Sequence, residues 1–207
     1  MEKTLSRQAL QRMPLYLQYL ITLREGGKTE VSAPFLAEHF GFTEIQVRKD
    51  LAAASSVQGK PKVGFRLLPL IQDIQDVLGF KTDNKAVVVG AGSMGTALLS
   101  YKGFREYGIK VTAGFDKKKA LIGTEIAGIT VYDIRDLKSY CKNSGVNIGI
   151  ITVPSSDAQN VCDLMVKAGI RAIWNFAQIH LNAPKGVLIY NENMAASLAI
   201  LLQHINS

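Results

Sequence analysis

The run Val87-Val88-Val89-Gly90-Ala91-Gly92-Ser93-Met94-Gly95 constrains this chain more than any other stretch. Three β-branched residues read as a buried parallel strand, and glycines at this spacing read as its turn into a helix. Gly90 serves the tight turn, Gly92 lets backbone approach a pyrophosphate, and Gly95 lets the helix pack on the strand. Ala97, Leu98 and Leu99 then begin a helix whose free N–H groups and dipole favour a phosphate at its start. A second strand, Ile109 to Phe115, ends at Asp116, 26 positions past Gly90. That is slightly beyond the spacing of about 20 expected for a ribose-binding carboxylate. The competing possibility is a glycine-rich turn in an α/β domain that holds no nucleotide.

The loop begins near residue 90 of 207, so the residues before it need a separate account. Two domains and a terminal segment are expected: 1–80, 85–191 and 192–207. With 47% hydrophobic residues the chain can fill real cores. No stretch reaches the roughly 18 apolar residues of a membrane span, and Met1 to Gln11 lacks a signal-peptide core. A cytoplasmic protein without membrane contact is expected. Cys141 and Cys162 stand in no metal or redox spacing and read as buried thiols. His39, His180 and His204 are scattered, which excludes a recognisable metal site.

Ser6 to Arg24 places Leu10, Met13, Leu17, Leu20 and Ile21 at helical spacing before Gly26-Gly27, with Pro14 expected to kink or delay it. Ser32 caps a short helix, Ala33 to Phe40, that Gly41 ends. Thr43 with Gln46 has the form of a capping box for a third helix, Glu44 to about Ala54. Two short helices across a tight turn make a helix-turn-helix, whose second helix enters the major groove. Val47, Leu51 and Ala54 share its core face. Lys49 faces the other way, flanked by Ile45, Gln46 and Arg48.

The glycine-bounded run Gly59 to Arg66 then reads as a wing carrying Lys60 and Lys62. Pro69 is expected to open a helix through Leu78, and Lys81 to Asn84 to link the domains. The formal charge is +7, and residues 1–80 hold 10 Lys+Arg against 8 Asp+Glu, a net of only +2. Within 48–66, however, Arg48, Lys49, Lys60, Lys62 and Arg66 face the single acid Asp50. A patch so concentrated suits double-stranded DNA, with affinity that falls steeply with salt. A three-helix packing module with a solvated charge run is the competing account.

Beyond Asp116, strands near Ile129 to Val131, Ile148 to Val153, Arg171 to Asn175 and Val187 to Tyr190 alternate with helices Asp133 to Asn143 and Ser156 to Ala168. This is the pattern of a doubly wound parallel sheet, with ligands at the carboxyl ends of its strands. Val153, Pro154, Asn175, Phe176 and Ala177 would then border the crevice beside the glycine loop. An NAD-dependent oxidoreductase would need a substrate domain and an acid–base pair, neither of which the remaining sequence supplies. The final helix, Asn193 to Ile205, is apolar nearly all round and must be covered, which points to insertion into a second copy and a two-fold homodimer. A nucleotide-binding assembly module with a basic front facing protein is a third possibility.

With both halves in view, the chain resembles the Rex family of redox-sensing transcriptional repressors along nearly its whole length. The resemblance is carried by Arg12-Met13-Pro14-Leu15-Tyr16, Gln46-Val47-Arg48-Lys49-Asp50-Leu51, Gly59 to Phe65, the glycine loop, Phe115-Asp116, Thr152-Val153-Pro154 and Asn175-Phe176-Ala177. It implies a winged helix-turn-helix domain, a Rossmann domain sensing the NADH/NAD+ ratio, a homodimer exchanging its last helix, and release of palindromic operator DNA when NADH binds. Arg48 and Lys49 would contact the operator, Lys60 and Lys62 its backbone. Gly90 to Gly95 would hold the pyrophosphate and Asp116 the adenosine ribose. Tyr101 matches the family's loop tyrosine.

Gln18 replaces an arginine that, with that tyrosine and an aspartate of the last helix, bridges subunits in the family. Glu192-Asn193-Met194-Ala195-Ala196 opens the last helix without the usual Asp-Phe pair, and Ala52-Ala53-Ala54-Ser55 stands where Ser-Tyr-Phe-Gly is usual. The departures predict weaker discrimination between NADH and NAD+, or a switch carried by other residues. Lys117-Lys118-Lys119 could accommodate a 2′-phosphate, whereas Asp116 would repel one and favours NAD(H).

Overall fold

The computed structural model describes residues 5–56, 59–60 and 63–206. The chain divides into two compact units, Met1–Lys81 and Thr82–Ser207.

In the first unit, helix α1 (Arg7–Glu25) starts where Ser6 Oγ accepts from Ala9 N–H at 3.2 Å. It runs uninterrupted through Pro14. Pro14 neither breaks nor delays the helix: it removes one helical donor, while Met13, Tyr16, Leu17 and Leu20, all buried, hold that turn in the core. Strand β1 (Glu30–Val31) leads to α2 (Ala33–Phe40), capped by Ser32 and closed by Gly41 at φ +66°. Helix α3 (Glu44–Ala54) buries Val47, Asp50, Leu51 and Ala54. Strand β2 (Phe65–Arg66) pairs antiparallel with β1, and Lys60 bridges to Gly64 to narrow the wing. Helix α4 (Leu67–Leu78) begins two residues before Pro69, which sits in its first turn where no N–H is needed, and ends at Gly79. Leu67, Leu70, Ile71 and Ile74 close the core against α1 and α3.

The second unit runs in chain order β3 (Asn84–Val89), α5 (Ser93–Leu99), a 3-10 turn Lys102–Tyr107, β4 (Ile109–Asp116), β5 (Glu125–Ile126) and β6 (Ile129–Asp133). A 3-10 turn Ile134–Asp136, α6 (Leu137–Ser144), β7 (Ile148–Ile151), α7 (Ser155–Lys167), β8 (Ala172–Asn175), β9 (Leu188–Asn191) and α8 (Met194–Asn206) complete it. The sheet order is β5-β6-β4-β3-β7-β8-β9, parallel throughout except for the β5–β6 hairpin. The chain therefore winds outward one way from β3 and then restarts at β7 on its other side. The two strands beside that reversal end at the glycine loop and at Thr152, which makes their shared carboxyl end the switch-point crevice. Val87, Val89, Phe115 and Ile151 face one apolar layer, and Val88, Leu99, Val131 and Ile150 the other.

Helix α8 is apolar and open to solvent: Ile205 is 76% and Ile200 70% exposed. Asn193 Oδ1 caps it by accepting from Ala196 N–H at 3.1 Å.

Candidate functional site

The crevice is built from backbone. Gly90 turns at φ +101°, and a Cβ there would stand 2.9 Å from Thr152 carbonyl carbon. A Cβ on Gly95 would lie 1.7 Å from the Gly90 carbonyl oxygen, so only glycine lets α5 start this close to β3. At Gly92 a Cβ would meet nothing within 4 Å. That open space leaves the main chain there uncovered, as a phosphate-binding turn requires. Thr152 Oγ1 donates to the Gly90 carbonyl at 2.6 Å, tying the loop to the end of β7.

Asp116, at the tip of β4, is 8% exposed. Its Oδ2 accepts from Ala91 N–H at 2.7 Å and its Oδ1 from Lys118 N–H at 2.8 Å. A carboxylate has about four acceptor positions, so two remain that these main-chain bonds do not use. Around it lies a cavity of about 630 Å³ lined by Gly90, Gly92, Asp116, Lys117, Val153 and Pro154 among others. Its size suits a small-molecule cofactor. Lys117 Nζ pairs with Asp157 at 2.7 Å on its rim.

Other residues expected at this site are placed differently. Ala91 is buried within the loop, and Ser93 and Met94 form the first turn of α5, with Met94 exposed. Tyr101 lies half-exposed with its ring edge-on to Phe104 at 5.0 Å. Asn175 is fully buried, and its amide is spent on the loop after β8. Nδ2 donates to the Ala177 and Ile179 carbonyls and to Asn191 Oδ1, and Oδ1 accepts from Ala177 N–H. Phe176 packs on Trp174 at 4.7 Å. None of Tyr101, Asn175, Phe176 and Ala177 is among the residues lining the cavity. The sequence shows Thr152 only as part of a motif; in the structure its hydroxyl ties the glycine loop to the end of β7.

In the first unit, Lys49 is exposed on α3. Arg48 reaches back one turn to Glu44, an exposed ion pair that offsets part of its charge. Lys60 stands at the base of the wing and Arg66 at its return, exposed, just before α4. Lys62 lies outside the described residues.

The capping box is only half made. Thr43 Oγ1 accepts from Gln46 N–H at 3.3 Å, but the Gln46 side chain turns to Arg12 instead of back to Thr43. Arg12 itself donates to Asp50 through Nε at 2.7 Å and Nη2 at 2.9 Å, and Tyr16 O–H donates to the same carboxylate at 3.0 Å. Asp50 raises the Arg12 pKa further, and burial followed by the Asp50 bond pushes the Tyr16 phenol up to about 12. This network was missed in sequence. The signal was there: Asp50 falls on the same helical face as Val47 and Leu51, and a carboxylate there needs a buried partner.

Among the described residues no group of His, Cys, Asp or Glu could hold a metal ion, and no helix is long and apolar enough to cross a membrane. Burial raises the pKa of both thiols, Cys141 to about 11.

A winged helix with cations along its reading helix, followed by a doubly wound sheet with a dinucleotide-type cradle, defines a transcriptional regulator governed by a nucleotide. Residues 81–179 match the family model described as a CoA binding domain, and residues 4–52 the one described as a putative DNA-binding protein N-terminus. The chain is 38% identical over 96% of its length, and 90% of the relative's, to the redox-sensing transcriptional repressor Rex of Porphyromonas gingivalis. It is 40% identical to that of Treponema denticola over 97% of the chain and 95% of the relative. Among solved structures it superposes on RSP, a Rex-family repressor, in complex with β-NAD+ and operator DNA. There the TM-score is 0.92 and the identity 30%, over 98% of this chain and 93% of the other. RSP in complex with β-NADH gives a TM-score of 0.87 at 29% identity, over 98% and 94%. The chain belongs to the Rex family of redox-sensing transcriptional repressors, which are regulators and not enzymes.

Proposed function

We propose that this chain, as a cytoplasmic homodimer joined through α8, holds palindromic operator DNA with its two winged helices and releases it as the NADH/NAD+ ratio rises. The observation that carries this reading is the cradle formed by Gly90, Gly92 and the doubly bonded Asp116 over a cavity of about 630 Å³. RSP, 30% identical over 98% of the chain, is known in complex with both β-NAD+ and operator DNA. NAD(H) bound here would supply the redox-dependent shape of its nicotinamide ring. The chain would contribute main-chain N–H groups of the loop to the pyrophosphate, Asp116 to the ribose hydroxyls, and Val153 and Pro154 to the wall beside them.

Gln46, Arg48 and Lys49 would face the major groove while Lys60, Lys62 and Arg66 neutralise phosphates. Exposed apolar side chains along α8 support burial against a second copy. The test is operator binding by fluorescence anisotropy with NAD+, with NADH and with neither. NADH should lower affinity and Lys49→Glu should abolish it while leaving the dimer intact; an unchanged Lys49→Glu titration would transfer the basic front to a protein partner. With Gln18, Ala195 and Ala196 in place, NADH is expected to be preferred over NAD+ by less than about a hundredfold, or nearly 3 kcal/mol.

A further inference from the structure

Gln46 meets Arg12 where two requirements cross. Arg12 is fixed by Asp50, which is 5% exposed and accepts from both Nε and Nη2 of the guanidinium. Beside that pair, the amide orientation that gives both groups a partner turns Gln46 Oε1 to Arg12 Nη1, from which it accepts at 2.9 Å, while the one Nε–H of the guanidinium is committed to Asp50. With the amide turned over, its Nε2 donors would face only guanidinium donors. A guanidinium has no acceptor and keeps its proton at any working pH. Arg12 therefore dictates which end of the amide is turned inward, and the end that Gln46 turns outward is Nε2-H2.

We propose that Arg12 makes Gln46 a donor-only reader of base edges, an inference that rests on α3 being the helix that enters the major groove. An unrestrained glutamine recognises adenine with two bonds, accepting from N6-H2 and donating to N7. A glutamine whose oxygen is turned inward to Arg12 loses the first of these, because that oxygen no longer faces the groove. It recognises edges that present acceptors: N7 and O6 of guanine, or O4 of thymine. Cytosine presents the N4-H2 donor and is rejected. Adenine offers N7 but leaves N6-H2 without a partner, so it holds no advantage over guanine. Gln46 is half-buried in the first turn of α3, where the residues of a recognition helix meet base edges. Arg12 is a positioning residue: it acts through Gln46 and sets the polarity of the contact.

The experiment is selection from a library of randomised operator half-sites, with sequencing of the bound DNA, using the full-length protein as wild type, Gln46→Glu, Gln46→Ala and Arg12→Lys. The wild type should exclude cytosine by about tenfold at one base-pair position of each half-site. Gln46→Glu keeps an acceptor for Arg12 but has no donor, so that position alone should turn towards cytosine; Gln46→Ala should flatten it. Arg12→Lys keeps a cation for Asp50 while freeing the amide, and adenine should rise at that same position. A Gln46→Glu profile identical to the wild type overturns the proposal. So does a wild type that selects adenine about tenfold over guanine and thymine at the position Gln46→Ala flattens. A wild type with no sequence preference at any position overturns the reading of α3 itself, a different and recognisable failure.

Discussion

Asp50 in the first unit and Asp116 in the second are both buried carboxylates, 5% and 8% exposed, yet they are held by opposite means. Asp50 is bound by side chains of another helix, the Arg12 guanidinium and the Tyr16 phenol. Asp116 is bound by main-chain N–H groups of Ala91 and Lys118. Side-chain partners tie one element to another and can be removed one at a time. Main-chain partners shape a loop and stay whatever residue carries them. The first arrangement aims a helix, the second folds a turn around a ligand-sized space, and each suits the work of its unit. The polarity of the front clamp also reaches Gln46, whereas the rear clamp ends at the carboxylate that faces the cavity.

The largest effect should come from breaking the front clamp. Arg12→Ala leaves a buried carboxylate with a phenol as its remaining side-chain partner, and removing one member of a buried ion pair costs roughly 3–5 kcal/mol. With side chains 18% and 7% exposed, the lower end is expected. The chain's single tryptophan, Trp174, lies in β8 of the second unit. Urea unfolding of the full chain should therefore show earlier hydrogen exchange in α1 and α3 while the Trp174 emission midpoint stays where it was. Equal shifts in both signals would break the comparison, because the clamp would then stabilise the whole chain.

The corresponding change at the rear is smaller. Asp116→Asn keeps one acceptor oxygen, but its amide nitrogen must face the N–H of Ala91 or of Lys118, leaving that donor unpaired at a cost of about 1–3 kcal/mol. Here the Trp174 midpoint should fall and exchange in α1 and α3 should not change. NADH affinity, by calorimetry, should fall with it, since the loop is loosened and one of the oxygens proposed to accept from the ribose is replaced by a donor. Full affinity in a variant with a lowered midpoint would separate the loop-folding role of Asp116 from any contact with nucleotide.

Sequence made visible what is encoded locally. Ser32 and Thr43 as caps, Gly41 and Gly79 as stops and the three glycines of the loop each act on the next few residues, and the structure uses them so. The Arg12–Asp50 bond joins residues 38 apart, and no spacing rule encodes a partner at that distance. Strand β5 escaped for a different reason. Its turn to β6 puts Ala127 at φ 52° and Gly128 at φ +79°, a conformation normally announced by Asn-Gly or Asp-Gly. With alanine in the first place, the turn is held by the pairing of its strands and the sequence carries little sign of it. Asn175 was legible as a residue at a strand end but not as a spent one, because its four bonds run to a loop whose path only the fold defines.

The smallest effect appears only at alkaline pH and separates the clamps by their chemistry. Tyr16 is protonated when it donates to Asp50, and its pKa rises from 10.0 to about 12 on folding, through burial first and the Asp50 bond second. A group whose folded pKa is raised contributes stability that is complete below its unfolded value and lost as pH rises towards the folded one. The window is therefore about pH 10 to about 12. Across it the first unit should lose protection in α1 and α3 more steeply in the wild type than in Tyr16→Phe, which has no proton to lose there. The donors to Asp116 are peptide N–H groups with nothing to titrate in that range, so Trp174 emission should give the same midpoints for both proteins at each pH. Parallel curves for α1 and α3 in the two proteins would mean that the front clamp opens before Tyr16 ionises, and that the carboxylate relies on Arg12 alone.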